Sequence, residues 1–316
     1  MADASTSRVR AGIWRGRSKL QWNEIRWGLI FLSPWFIGLA CFTLLPIVST
    51  LYFSFTDYNM VRPNETHFVG LANYARLFSD PLVTQSMAVT VKFALIAVPL
   101  GLIVPLLFAM VVNSKHLVAP NVFRTLFFMP TIIPVVASVM IFQGVLNAQS
   151  GWINLALGQL GIEGPRWLND AAWVLPALNL IALWGVGNSM LILLAALQGV
   201  PTELYEAAIV DGANAAQRFF RITIPMISPV IFYNVTLGVI FAFQYFVVAL
   251  LIGGRNGDPN GATLFFNLHL YRTGFVFNEM GYASTLAWVL FIIVMTLTVL
   301  LFTIAQRFVY YASSDR

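Results

Sequence analysis

The sequence predicts an all-α polytopic membrane protein: six transmembrane helices, both termini on the cytoplasmic side, and a cytoplasmic helix–turn–helix loop between spans four and five. Three observations predict it. Hydrophobic residues make up 59% of the 316-residue chain and charged residues 10%, with a mean hydropathy of +0.78. Long windows free of charge recur along the chain. Lysine and arginine are distributed unevenly between the segments that connect those windows.

A soluble domain carries about 25% charged residues. A chain this poor in charge cannot cover a water-facing surface, so lipid is its main solvent. The net charge of +5 and pI near 9.5 fit the positive-inside bias of membrane proteins better than a nucleic-acid partner. The single cysteine, Cys41, excludes an intrachain disulfide, and the three histidines, His67, His116 and His269, are too scattered in sequence for a structural zinc site.

The charge-free windows are Trp27–Thr56, Phe93–Ser114, Thr125–Ile162, Ala171–Thr202, Ile222–Gly254 and Met280–Gln306. Each exceeds the roughly 20 residues needed to cross about 30 Å of hydrocarbon. Trimmed to helices, they give spans at about 28–55, 87–113, 124–147, 173–198, 226–253 and 284–310 within a transmembrane domain of 27–311. Tails are expected at 1–26 and 312–316. The arginine-rich start lacks a small-x-small cleavage site, and the apolar run after it is too long for a signal core, so it reads as a retained first span.

With the N-terminus inside, the outside loops hold Arg62, Arg76, Arg166, Arg255 and Arg272, Lys92 snorkels near the outer end of span two, and the other 12 of the 18 basic residues lie inside. Outside loops fall at about 56–86, 148–172 and 254–283. The short apolar stretch INLALGQLGI (153–162) reads as an interfacial helix rather than a seventh span.

One inside loop differs from the rest: GVPTELYEAAIVDGANAAQRFFRITIPMISP (199–229). Pro201 and Thr202 signal a helix start, with Thr202 as the N-cap. Gly212 supplies a stop, because glycine accepts positive φ just past a helix end. Asn214, with Gln217 three residues later, matches a second capping box. The prediction is two short helices with a sharp corner at Gly212, forming a protruding knob. Physics alone leaves this knob open as either a structured connector or a docking feature.

The segment resembles the EAA loop of ABC importer permeases, E-A-A-x3-G-x9-I-x-L-P. Glu206, Ala207 and Ala208 are followed at the required spacings by Gly212, Ile222 and Pro225, and the one departure is Ile224 in place of leucine. The stretches SPWFIGLACFTLLPIVSTLYFSFTDY (33–58), FVGLANYARLF (68–78), FRTLFFMPTIIPVVAS (123–138) and MGYASTLAWVLF (280–291) are similar to the carbohydrate-uptake branch of that family.

The resemblance implies a second homologous permease subunit in a heterodimer, two cytoplasmic ATPase subunits and an extracytoplasmic solute-binding protein, in a bacterial plasma (inner) membrane. This chain would need no cofactor of its own, with ATP and magnesium on the ATPase. It implies coupling helices that insert into the ATPase, with Glu206, Ala207, Ala208, Asp211, Gly212, Arg218 and Arg221 as the coupling residues. It also implies a cavity lined by the spans that flank the loop.

Two faces match that cavity. Trp184, Gly187, Asn188, Leu191 and Ala195 recur at helical spacing in span four, and Asn234, Gly238, Phe241 and Tyr245, with Gln244 beside them, in span five. Amides supply donors and acceptors for hydroxyls, and aromatic faces stack on sugar C–H surfaces. Helix packing explains the same glycines and amides. No P-loop and no catalytic or metal-binding constellation is visible, so the chain reads as a transport subunit and not an enzyme. The absence of a mid-membrane carboxylate weakens a proton-coupled transporter. A secondary transporter or passive channel without an ATPase is the alternative.

Overall fold

The computed structural model describes residues 19–308. Within them the chain is helical, with two isolated β-bridges and no strand. The predicted tails at 1–26 and 312–316 fall largely outside the described residues. The chain divides into two compact units, residues 1–52 and 53–316.

The first unit holds α1, Lys19–Leu39, and most of α2, Leu45–Ser54. A π-helical turn at Ala40–Leu44 joins them, so that Trp22–Ser54 is one 33-residue apolar helix. The turn closes where the Leu45 N–H donates to the Ala40 carbonyl, immediately before Pro46. Proline lacks an N–H and crowds the carbonyl four residues back, and a widened turn accommodates both defects.

In the second unit, the chain runs into α3, Ala72–Ser79, and then α4, Pro81–Val112. Helix α4 starts six residues earlier than the predicted span because Asp80 and Pro81 form a cap. The Asp80 carboxylate accepts the Leu82 N–H at 2.9 Å, and Pro81 occupies the first turn, where no N–H is required. The predicted interfacial stretch is α7, Trp152–Gln159. The last long helix is α15, Met280–Phe308.

Three predicted spans differ from the structure because each is interrupted. Span three is α5, Pro120–Phe128, a 3-10 turn at Met129–Ile132, and α6, Val135–Val145, with a bend of 101°. Ile133 is driven to extended backbone (ψ 127°) by the proline after it, and Pro134 can donate to neither helix. Span four is α8, Val174–Leu183, and α9, Gly187–Gln198, bent by 53°. Span five starts well before the predicted 226. Helix α11, Ala215–Arg218, passes through a π turn at Phe219–Thr223 into α12, Ile224–Phe243, breaks at Gln244–Phe246, and resumes as α13, Val247–Gly253. Among the described residues, four helices are long and apolar enough to cross a membrane, or six if each bent pair is one span.

Two buried clusters organise the second unit. One gathers Phe93, Leu178, Phe243, Phe265, Phe266 and Leu286; the other gathers Leu106, Ala109, Met190, Leu193, Leu197 and Ile227. Helices α4 and α12 contribute to both and form the unit's shared axis. Large apolar side chains on the opposite faces, such as Leu95, Ile103 and Leu107 of α4, are exposed, as a lipid-facing surface requires.

Candidate functional site

The loop between α9 and α12 forms a knob. Helix α10 spans Thr202–Val210. Its N-cap is Pro201, and Thr202 is its first helical residue with no capping bond; this differs from the sequence expectation, because Pro201 takes the extended geometry (ψ 133°) that a cap needs. The corner at Gly212 is a Schellman turn. The Gly212 N–H donates to the Ile209 carbonyl at 3.0 Å and the Ala213 N–H to the Ala208 carbonyl at 2.8 Å, with Gly212 at φ +78°. The chain then restarts through a reciprocal capping box: Gln217 N–H to Asn214 Oδ1 at 2.9 Å, and Asn214 N–H to Gln217 Oε1 at 2.8 Å. The second helix is not a separate short one, because it runs on into α12.

On the knob, Glu206, Ala207, Asp211, Gly212 and Arg221 are exposed, while Ala208 and Arg218 are half-buried. Ile209 and Val210 present apolar surface, Val210 at 87% exposure. Among the described residues, Glu206, Asp211, Arg218 and Arg221 form no ion pair. The opposite face of the knob is anchored, since Tyr205, Phe219 and Ile222 pack on the cluster around Met190 and Ile227.

A cavity of about 910 Å³ lies elsewhere in the same unit. Its wall takes in all three span interruptions: Pro130, Thr131 and Ile133 from span three, Trp184 and Gly185 from span four, and Gln244, Tyr245 and Phe246 from span five. Asn188, Phe241, Ser138, Asn267 and Phe291 complete its polar and aromatic lining, and no lining side chain carries a charge. Trp184 meets Phe142 edge-on at 5.6 Å, and Phe241 meets Tyr245 at 5.6 Å. The Gln244 carbonyl accepts the Asn267 amide at 3.2 Å. Tyr245 is buried against Phe93 and Phe265, and its hydroxyl has no hydrogen-bond partner among the described residues.

The structure therefore brings together Trp184, Asn188, Phe241, Gln244 and Tyr245 of the sequence-predicted pathway. It does not place Asn234 or Gly238 there. Asn234 is buried and bonds to the Val230 carbonyl one turn back at 2.9 Å, while Gly238 faces Val98 of α4. Gly187 is also a packing residue: a Cβ on it would meet the Phe127 carbonyl oxygen at 2.5 Å. Sequence reasoning missed Pro130, Thr131, Ser138, Gly185, Phe246, Asn267 and Phe291. The signals available for them are the Pro130/Pro134 pair and the Gly185–Gly187 pair, which mark the breaks in spans three and four.

A smaller polar cluster, also missed, joins α3, α4, α14 (Phe266–Tyr271) and α15. Tyr282 donates to Asp80 at 2.9 Å, and the buried His269 ring lies 3.5 Å from the same carboxylate. Arg76 pairs with Glu279 at 2.7 Å and stacks 4.0 Å over the Tyr282 ring. Burial holds the His269 imidazole below the ordinary histidine range; Asp80 opposes this, and Arg272 and Arg76 reinforce it.

The family comparison is decisive. Residues 97–311 match the family described as binding-protein-dependent transport system inner membrane component. The chain belongs to this family. It is a permease-type transport subunit of the inner membrane, not an enzyme. It is 38% identical over 290 residues to a probable ABC transporter permease protein, YesP, of Bacillus subtilis (strain 168), covering 91% of this chain and 93% of that one. It is 32% identical to the trehalose/maltose transport system permease protein MalF of Thermococcus litoralis, covering 89% and 94%. Its fold matches a chain in the crystal structure of a bacterial alginate ABC transporter in complex with an alginate pentasaccharide-bound periplasmic protein. That match has a TM-score of 0.77 at 20% identity and covers 90% of this chain and 97% of that chain.

Proposed function

We propose that this permease forms, with a second homologous permease subunit, the membrane pathway for a sugar or sugar-like solute, and that the knob at Thr202–Arg218 docks on a cytoplasmic ATPase. The observation that carries this reading is continuity. The first limb of span five begins in the knob at Ala215 and reaches its break at Gln244 in the cavity wall, so one helix of about 43 Å links a docking surface to a solute-sized space.

In this reading the chain crosses the membrane six times with both termini inside, the two bent pairs each counting as one span. ATP and magnesium bind the ATPase, and an external binding protein delivers the solute. Glu206, Asp211, Arg218 and Arg221, without an ion-pair partner among the described residues, meet complementary groups on the ATPase, and Ala207 and Ala208 allow close approach. At the cavity, the breaks free main-chain polar groups where they face the solute path, the one place in a membrane where irregular backbone is tolerated. Asn188, Gln244 and Asn267 supply amide donors and acceptors for hydroxyls, and the exposed Trp184 and Phe241 supply ring faces. The uncharged lining favours a neutral sugar over a glycerol phosphate. Relatives whose names give trehalose/maltose, lactose and arabinooligosaccharides as cargo support that class.

The test is purification of the tagged chain in mild detergent, followed by reconstitution of whatever co-elutes. The expected result is a stoichiometric ATPase and a homologous permease, with ATP hydrolysis stimulated by maltose, trehalose, lactose or arabino-oligosaccharides and not by glycerol 3-phosphate. A chain that purifies alone and carries solute without an ATPase overturns the proposal.

A further inference from the structure

Span five has a weak point between the knob and the cavity. At Phe219–Thr223 its ladder widens to a π turn, which closes with the Ile224 N–H on the Phe219 carbonyl, immediately before Pro225. The turn before Pro46 in the first span is built the same way. A proline removes a donor and crowds the turn before it, and widened turns are locally less regular than α-helix. A displacement applied to the knob is therefore liable to be absorbed here before it reaches α12.

One side-chain bond bypasses the turn. The Tyr205 hydroxyl, from the middle of α10, lies 2.8 Å from Thr223 Oγ1. Thr223 is the last residue of the π turn and is 7% exposed. Its other contact, to the Arg218 carbonyl, is long at 3.5 Å, so Tyr205 is its main partner. The Tyr205 ring packs with Phe219 and Ile222 on the cluster around Ile227, which fixes the direction of the hydroxyl. The first limb of the knob thus grips span five at the far end of its widened turn, where α12 begins.

We propose that the Tyr205–Thr223 hydroxyl pair is a transmission strut: it makes α10 and α12 move as one body, so that motion imposed on the exposed face of the knob reaches the interruption at Gln244–Phe246. Tyr205 is then a positioning residue for transport. It faces away from the exposed Glu206–Val210 surface and acts through Thr223. The inference rests on the coupling role proposed for the knob.

The assembled complex, with ATPase, partner permease and binding protein, is reconstituted in proteoliposomes. ATP hydrolysis and uptake of the panel sugar that stimulates hydrolysis most are measured in one preparation. Tyr205→Phe is expected to raise the ATP hydrolysed per sugar carried by about threefold to tenfold, the factor that one hydrogen bond supplies. Thr223→Val should match it, and the double variant should add nothing further. Thr223→Ser, which keeps the hydroxyl, should stay near the parent ratio.

A solute-free readout accompanies this: the nucleotide-dependent change in maleimide labelling of Ser138→Cys, in a Cys41→Ser background, should shrink with Tyr205→Phe. An unchanged ratio and unchanged labelling, multiplying effects in the double variant, or loss of ATPase assembly in Tyr205→Phe would each overturn the strut; the last would make Tyr205 a docking or folding residue. A parent complex without ATP-dependent uptake would instead defeat the importer reading itself.

Discussion

The knob and the cavity are built on opposite principles. The knob is made from local bonds: a Schellman turn spanning six residues and a capping box spanning four. It needs little tertiary help to take shape, although its inner face is seated on a core. The cavity is made from failures of local structure. Three helices are interrupted at separate points in the chain, and only packing brings Pro130, Gly185 and Gln244 to one wall. The difference teaches that a compact surface knob can be specified by short sequence, whereas a cavity within a bundle requires several distant defects to coincide.

The corner offers the largest break in this contrast. A Cβ at Gly212 would touch nothing within 4 Å, so any cost of substitution arises from φ +78° alone. Gly212→Val should therefore cost about 1–3 kcal/mol locally and abolish most ATPase co-purification while the chain still inserts. Gly212→Asn, which tolerates positive φ, should retain most of it. Equal losses from valine and asparagine would mean that the corner's conformation is not what the partner reads. Next in size is Asn214→Ala, which removes half of the capping box at a cost of about 0.5–2 kcal/mol. It should lower the temperature at which the ATPase dissociates without altering solute preference. A changed sugar ranking in that variant would contradict the separation of the two sites.

At the cavity the sign of the test is reversed. Trp184→Ala removes a ring face, and Gln244→Leu removes an amide while leaving the main-chain carbonyl that accepts from Asn267. Each should reduce sugar uptake by about 2- to 10-fold, the factor corresponding to 0.5–1.5 kcal/mol for one aromatic contact, with ATPase co-purification unchanged. Asn234→Ala and Gly238→Ala serve as controls. The first should affect stability, because Asn234 bonds within its own helix, and the second should be tolerated, because its Cβ would meet Val98 at 3.8 Å. A strong uptake defect from Gly238→Ala with normal stability would return that face to the pathway.

The same contrast decides what was legible in the sequence. Helical class and the apolar segments follow from composition and charge-free windows, because lipid permits few alternatives. The knob was legible because Gly212, Asn214 and Gln217 act within five positions of one another. The breaks at Pro134 and Gly185 were not, because proline and glycine in a membrane helix are compatible with a mild kink as well as with a full interruption. Which occurs depends on whether neighbouring segments satisfy the freed carbonyls. The break at Gln244 had no proline or glycine to announce it. The periodic face assigned to span five failed at Asn234 and Gly238 for a related reason: α4 packs along that face, and periodicity alone cannot distinguish a neighbouring helix from a cavity.

The smallest expected effect concerns α14, which separates the cavity from the polar cluster. Asn267 and Leu270 of this helix line the cavity, while His269 between them lies buried beside Asp80. Burial disfavours the imidazolium, so the folded chain protonates His269 at a lower pH than the ordinary value near 6.5 that governs the unfolded chain. As pH falls below about 6.5, the unfolded state takes up the proton first and stability declines; the decline ends once pH drops below the folded value. Asp80 at 3.5 Å limits its size, while Arg76 and Arg272 enlarge it. The thermal unfolding midpoint of the purified chain in detergent should therefore fall more steeply between about pH 7.5 and 5.5 for the parent than for His269→Gln, which has no proton to gain in that range. Parallel slopes would show that the His269 proton is not linked to folding, and that the wall between the two sites is held by packing alone.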